Sequence, residues 1–249
     1  MHALETEGVD TATVQRTDAR TTLGLVGLDA QGVPSYSFYG DGGADRQLDR
    51  ETLRRVPASA RVFHLGSFAM VVEPIASTLR ELVVREHPRS LIAYDPNVRL
   101  NVEPDVGRWR ETVRWMLPRT HLLKVSEEDL ALLYPAAAFD ALASDWLAQG
   151  VGMLVVTRGV QGASAWTRSA RVDVPTVVMP VVDTVGAGDT LQAALLAALA
   201  EQDCLDRAAV AALDETRLRA SLRFAVHAAA ITCSRRGADL PRRQELPSL

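Results

Sequence analysis

The sequence predicts an α/β fold: a mostly parallel central sheet with helices on both faces. Three observations lead there. From residue 61 onward, short apolar runs alternate with longer helical stretches. Each candidate motif falls just after one of those runs, where open parallel sheets gather their ligands. The run Asp183-Thr184-Val185-Gly186-Ala187-Gly188-Asp189 joins an apolar segment to an Ala/Leu-rich stretch that reads as a helix. At 249 residues, with 47% hydrophobic and 23% charged residues, the chain suits one soluble domain over 1–249 with a substantial core.

Taken in order, residues 1–20 are polar. Residues 22–28 and 35–39 flank Asp29-Ala30-Gln31-Gly32 and read as a hairpin. Short buried strands are expected at 61–65, 91–94, 121–125 and 152–157. Helices are expected around 72–86, 106–117 and 127–149, the last broken near Pro135. Ser164-Ala165-Trp166 begins another strand. Residues 177–182 read as a strand, 190–200 as a buried helix and 206–234 as an Ala-rich helical pair.

The small residues of 183–189 leave first-turn N–H groups bare, and with the helix dipole these can hold an anion. Asp189 beside such a hole suits a base that takes a proton from a hydroxyl while a phosphoryl group is held. A glycine turn whose Asp caps the next helix accounts for the same residues, and physics alone leaves both open. Tyr94-Asp95-Pro96-Asn97-Val98-Arg99 reads locally as an Asp-Pro-Asn turn. Ser126 with Glu127, Glu128 and Asp129 reads as a capped, acidic helix start. In Val155-Val156-Thr157-Arg158-Gly159-Val160-Gln161-Gly162-Ala163, the glycines let backbone turn under a nucleotide and Thr157 can donate to a phosphate. A plain glycine hairpin fits too. His64 reads as structural.

Several classes are excluded. Lys124 is the only lysine and lies outside any Gly-Lys-Ser/Thr loop, so there is no Walker A motif; the protein-kinase motif set is also absent. A net charge of −4 gives no support to nucleic-acid binding. Cys204 and Cys233 are too few for a disulfide framework. No apolar run approaches membrane-spanning length and the start is not a signal peptide, so a cytoplasmic protein with no membrane partner is expected.

The 183–189 run resembles the C-terminal signature of the PfkB-type, ribokinase-like carbohydrate kinases. The resemblance extends over essentially the whole chain and implies a three-layer sandwich with a small β-sheet lid, here 20–45, over a sugar. It makes Asp189 the catalytic base and the backbone of Gly186, Ala187 and Gly188 the anion hole. It places Asn97 and Arg99 of the DPN-x-R element at the substrate, and Lys124, Thr157, Gly159 and Gly162 at the nucleotide. An Asn-x-x-Glu element that helps position magnesium corresponds to Ser126 and Asp129, so both positions depart from the pattern and Asp129 is the metal candidate. ATP and Mg²⁺ are the implied cofactors, with a monovalent cation such as K⁺ near the carbonyls of Asp183 and Gly237. Residues 21–23, 37–39, 43–45, 157–159 and 192–194 look most like bacterial fructokinases, which puts fructose ahead of ribose or 2-keto-3-deoxygluconate. A homodimer through the lid is a further implication. Members carry an upstream segment with a first strand, a sugar-contacting Asp and a Gly-Gly-x-x-Asn element, so the chain reads as N-terminally truncated. The rival expectations are a non-catalytic paralogue that binds sugar or nucleotide, and a nucleoside kinase.

Overall fold

Continuous apolar runs mark strands buried on both faces, and three of them, LIAYD, LLKVS and MLVVT, form the middle of the sheet in the computed structural model. The structure describes residues 1–28 and 34–249. Strand β1 (Leu23–Leu28) pairs antiparallel with β2 (Pro34–Tyr39) in a separate two-stranded sheet. These are the strands of the expected hairpin; its turn, Asp29 to Gly32, lies outside the described residues. The six-stranded sheet runs in sequence order: β3 (Val62–Gly66), β4 (Leu91–Asp95), β5 (Leu122–Ser126), β6 (Met153–Thr157), β7 (Ala163–Trp166) and β8 (Arg171–Val174). Strands β3 to β6 are parallel and the last two are antiparallel, so the sheet is mostly parallel as expected.

Two short helices, α1 (His2–Thr6) and α2 (Arg50–Leu53), precede the sheet. Helices α3 (Ile75–Glu86), α4 (Val106–Met116), α5 (Glu127–Leu133) and α6 (Phe139–Gln149) follow β3 to β5. Helices α7 (Ala187–Glu201), α8 (Arg207–Ala211) and α9 (Glu215–Cys233) close the chain. Side-chain caps fix several starts: Asp105 accepts from Gly107 N–H at 2.7 Å, Ser126 from Asp129 N–H at 3.0 Å and Asp214 from Arg217 N–H at 2.8 Å. The expected break near Pro135 separates α5 from α6, with Ala136 at φ 68°.

Alternation along each strand sends its side chains to two cores. Ile92, Tyr94, Leu123, Val125, Leu154 and Val156 face the layer of α3 to α6. Leu91, Ala93, Leu122, Met153 and Val155 face α7 and α9. The latter two helices pack closely, and the Thr190 and Thr232 hydroxyls meet between them at 3.0 Å.

One expected element is absent. Residues 177–182 form no strand: they run unpaired, with Val178 96% exposed, and only Val182 and Asp183 N–H reach a carbonyl, that of Cys233. Pro175 and Pro180 remove two ladder donors, and β8 already takes the sheet edge. A loop, not a strand, therefore leads into α7.

Candidate active site

The centre of the candidate site is the start of α7. Gly186 sits at φ 79°, a left-handed conformation natural to glycine, and an added Cβ there would lie 2.8 Å from that of Ala238. Asp183 clamps the turn: its carboxylate accepts from Val185 N–H at 3.0 Å and from Gly237 N–H at 2.9 Å. These backbone donors hold its pKa below the ordinary carboxylate value. Within the turn, Ala187 N–H donates to Thr184 O at 3.2 Å, and the first helical bond is Thr190 N–H to Gly186 O at 2.8 Å. Gly186, Gly188 and Asp189 N–H have no acceptor among the described residues, whereas Ala187 N–H is taken up within the turn. The Asp189 carboxylate is exposed, with neither a hydrogen-bond nor an ion-pair partner among the described residues.

Strand pleating brings a charged pair up beneath this turn. Asp95 ends β4 and Lys124 lies in β5, both on the face turned to α7. Their side chains meet at 2.6 Å, each almost fully buried. A Cβ on Gly188 would lie 2.9 Å from the Lys124 ammonium, so only a glycine lets that ammonium come so close. The second Asp95 oxygen, Oδ1, is buried without a hydrogen-bond partner among the described residues. An orphaned carboxylate oxygen in a packed site is costly unless something later satisfies it.

His64 occupies the same face of β3, aligned in register with Ala93. Its side chain keeps exposed surface, yet the surrounding protein desolvates the imidazole enough to lower its pKa, against opposing pulls from Asp95 and Asp189. His64, which the sequence left without a role, therefore lies within the field of the candidate base. Asp95 was read only as part of a turn. One signal could have singled it out: it closes a buried strand neighbouring the one that carries the only lysine.

Asn97 and Arg99 follow Asp95. Asn97 adopts φ 40°, and its carbonyl accepts from the Ser67 hydroxyl at 3.0 Å. Arg99 is exposed, donates to Val98 O at 2.9 Å, and lines a small cavity of about 70 Å³ with Thr22, Asp45 and Ser67. That cavity lies where the segment flanking β1 meets the carboxyl end of the main sheet. Asp129 is buried and accepts from Val98 N–H at 3.0 Å, so it also holds the 97–99 turn. Burial pushes its pKa up, more than the Val98 bond lowers it. No group of three His, Cys, Asp or Glu side chains among the described residues could hold a metal.

Thr157 ends β6 opposite Ser126. Gly159 (φ 51°) and Gly162 (φ 88°) bound the corner between β6 and β7. A Cβ on Gly162 would lie 2.1 Å from the Val174 carbonyl, so packing against β8 by itself requires a glycine there. The fold thus brings Asp189, Gly188, Lys124, Asp95, His64, Asp129 and Asn97 to the carboxyl end of β3 to β5. Gly159 and Gly162 follow Thr157 at the carboxyl end of the next parallel strand, β6, at its corner with β7.

With this geometry in view, comparison with protein families matches residues 1–245 to the pfkB family carbohydrate kinases. The chain belongs to that family. It is 33% identical over 219 residues to a fructokinase of Rhizobium leguminosarum bv. trifolii, covering 88% of this chain and 67% of that protein. It is 36% identical over 239 residues to probable fructokinase-4 of Arabidopsis thaliana, covering 94% and 71%. The chain thus spans about two thirds of the length of these relatives. Among solved structures, fructokinase with bound ATP from Xylella fastidiosa superposes with a TM-score of 0.84 at 29% identity, over 95% of this chain and 75% of that one. The architecture is that of ribokinase-like kinases, and family and relatives alike place the chain among the sugar kinases. No helix among the described residues is long and apolar enough to cross a membrane.

Proposed function

We propose that this chain transfers the γ-phosphoryl group of ATP to a sugar hydroxyl, with fructose the first acceptor to test. The observation that carries the reading is the unpaired Asp189 carboxylate beside the free N–H groups of Gly186, Gly188 and Asp189, directly above the buried Lys124–Asp95 pair. Asp189 takes the proton from the attacking hydroxyl. The Gly186, Gly188 and Asp189 N–H groups and the α7 dipole stabilise charge on the transferring group, and Lys124 adds a fixed positive charge from below. Catalysis of this kind is mostly positioning and electrostatics.

The site fits a triphosphate: bare donors, an ammonium and a glycine that keeps the approach open. Magnesium bound with ATP would neutralise phosphate oxygens, with Asp129 the residue that would help hold it, since Mg²⁺ keeps several waters and needs few protein carboxylates. Buried Asp129, its pKa raised, would gain from a nearby cation. The fructokinase relatives support fructose, and the ATP-bound Xylella fastidiosa structure supports the nucleotide. The two-stranded sheet is proposed as the lid, which would exclude water on closing; its exposed Leu23 and Leu25 suit contact with a second copy.

The test is ADP release by the purified chain with Mg-ATP, comparing fructose with a panel of sugars. Fructose-dependent release that Asp189→Asn abolishes is the expected result. ATP binding with no sugar-dependent ADP release would sink the proposal and favour a non-catalytic binding protein.

A further inference from the structure

A cavity of about 450 Å³ lies at the opposite end of the sheet from Asp95 and Lys124, beside the amino ends of β3 and β4. Segments 58–61, 87–91 and 205–208 form it, and each brings one arginine: Arg61, Arg89 and Arg207. His87 adds an imidazole. The opposing charges are largely engaged elsewhere. Asp206, also in the lining, accepts from Ala209 N–H at 2.9 Å as the cap of α8. Arg89 is held by Ala58 O at 2.8 Å and by Glu86 at 2.6 Å. Arg61 reaches Asp203 only at 3.7 Å, and Arg207 has neither a hydrogen-bond nor an ion-pair partner among the described residues.

The field of these groups reaches inward. His121 stands just ahead of β5, and burial, then Arg207 and His87, hold its imidazole down at about 4. A concave site with an unpartnered guanidinium and a second, loosely paired one is built to take an anion in the forked geometry that arginine favours. Ala58, Ala60, Leu91 and Leu205 supply apolar wall for a carbon skeleton, and the volume falls within the range of small-molecule sites. We propose that this cavity binds a phosphorylated small organic molecule, with its phosphate on Arg207 and Arg61. The site is separate from the proposed phosphotransfer centre and does not depend on that reading.

Calorimetric titration of the full chain tests this, with inorganic phosphate and a hexose monophosphate as probes. Each titration is run with and without a saturating non-hydrolysable ATP analogue. Saturable binding of the hexose monophosphate is expected in both conditions, tighter than that of inorganic phosphate. Its Kd should rise at least about tenfold in Arg207→Ala, consistent with the loss of one charge-assisted contact. Arg223→Ala, an exposed arginine on α9 outside the cavity, should leave it unchanged. Three results would overturn the proposal: no saturable binding of either probe, hexose monophosphate binding no tighter than inorganic phosphate, or equal affinity in Arg207→Ala. Failure of the analogue to bind would count against the phosphotransfer reading alone, because the titrations without it still decide this one.

Discussion

The two faces of the central sheet are built alike along most of their length and diverge at the carboxyl end. Toward α3 to α6, β4, β5 and β6 present an unbroken apolar set that includes Ile92, Tyr94, Val125 and Val156. Toward α7, the same strands begin apolar, with Leu91, Leu122 and Met153, and then turn polar at Asp95 and Lys124, with His64 alongside on β3. One face is given wholly to packing; the other trades its last layer for charge beneath a helix start. Burying an ion pair is rarely stabilising in itself, so the difference marks where the fold gives up stability for a fixed electrostatic field.

The widest gap between the faces should open with Asp189→Asn. Turnover should fall by roughly two to four orders of magnitude, the usual worth of a general base, while calorimetry still reports ATP binding. Lys124→Met should destabilise the fold by about 3–5 kcal/mol, because it strands the buried Asp95 carboxylate. Urea unfolding should show much of that loss recovered when Asp95→Leu is added. On the opposite face, Trp109→Ala removes a fully buried ring from α4 and should cost about 3–5 kcal/mol. Its kcat per folded molecule should hardly change; a drop comparable to that of Asp189→Asn would erase the distinction between the faces.

Gly188→Ala sharpens the comparison from the other side. The new methyl meets only the end of a flexible lysine, so thermal unfolding should shift little. Displacing that ammonium should nonetheless lower kcat by about tenfold, on the order of one charge-assisted hydrogen bond. The last effect is set by pH at the amino end. His121 is held at about 4 in the folded chain, so between the ordinary histidine value and 4 the unfolded chain binds the extra proton. Stability therefore rises with pH through that window and is lost as pH falls, by at most about 1.4 kcal/mol per pH unit for one proton. Urea midpoints from pH 7 down to 4.5 should show this slope, and His121→Asn should flatten it.

Much of the fold was legible because burial writes itself into composition. Strands β4 to β6 are apolar runs too short for helices, and the breaks at Pro135 and after residue 86 follow from turn chemistry. The same rule misread 177–182: apolar residues met the strand pattern, but a strand also needs a partner, and that segment has none. In the site, Asp189 and the glycine turn were readable because their chemistry is local. His64 and Asp95 were not, because their neighbours lie on other strands. At Gly162 the close approach to the Val174 carbonyl adds a packing demand that comes from another strand and could not be read locally.

The sequence by itself determined the α/β class, the parallel core strands, the turn before α7 and the family, since each rests on residues close together in the chain. Only the tertiary structure decided which N–H groups stay free at α7, that the single lysine is held by Asp95 under Gly188, and that three arginines from distant loops share one cavity. Those facts depend on strand register and helix docking, which place side chains far apart in sequence within a few ångströms of one another, and no local pattern encodes such distances.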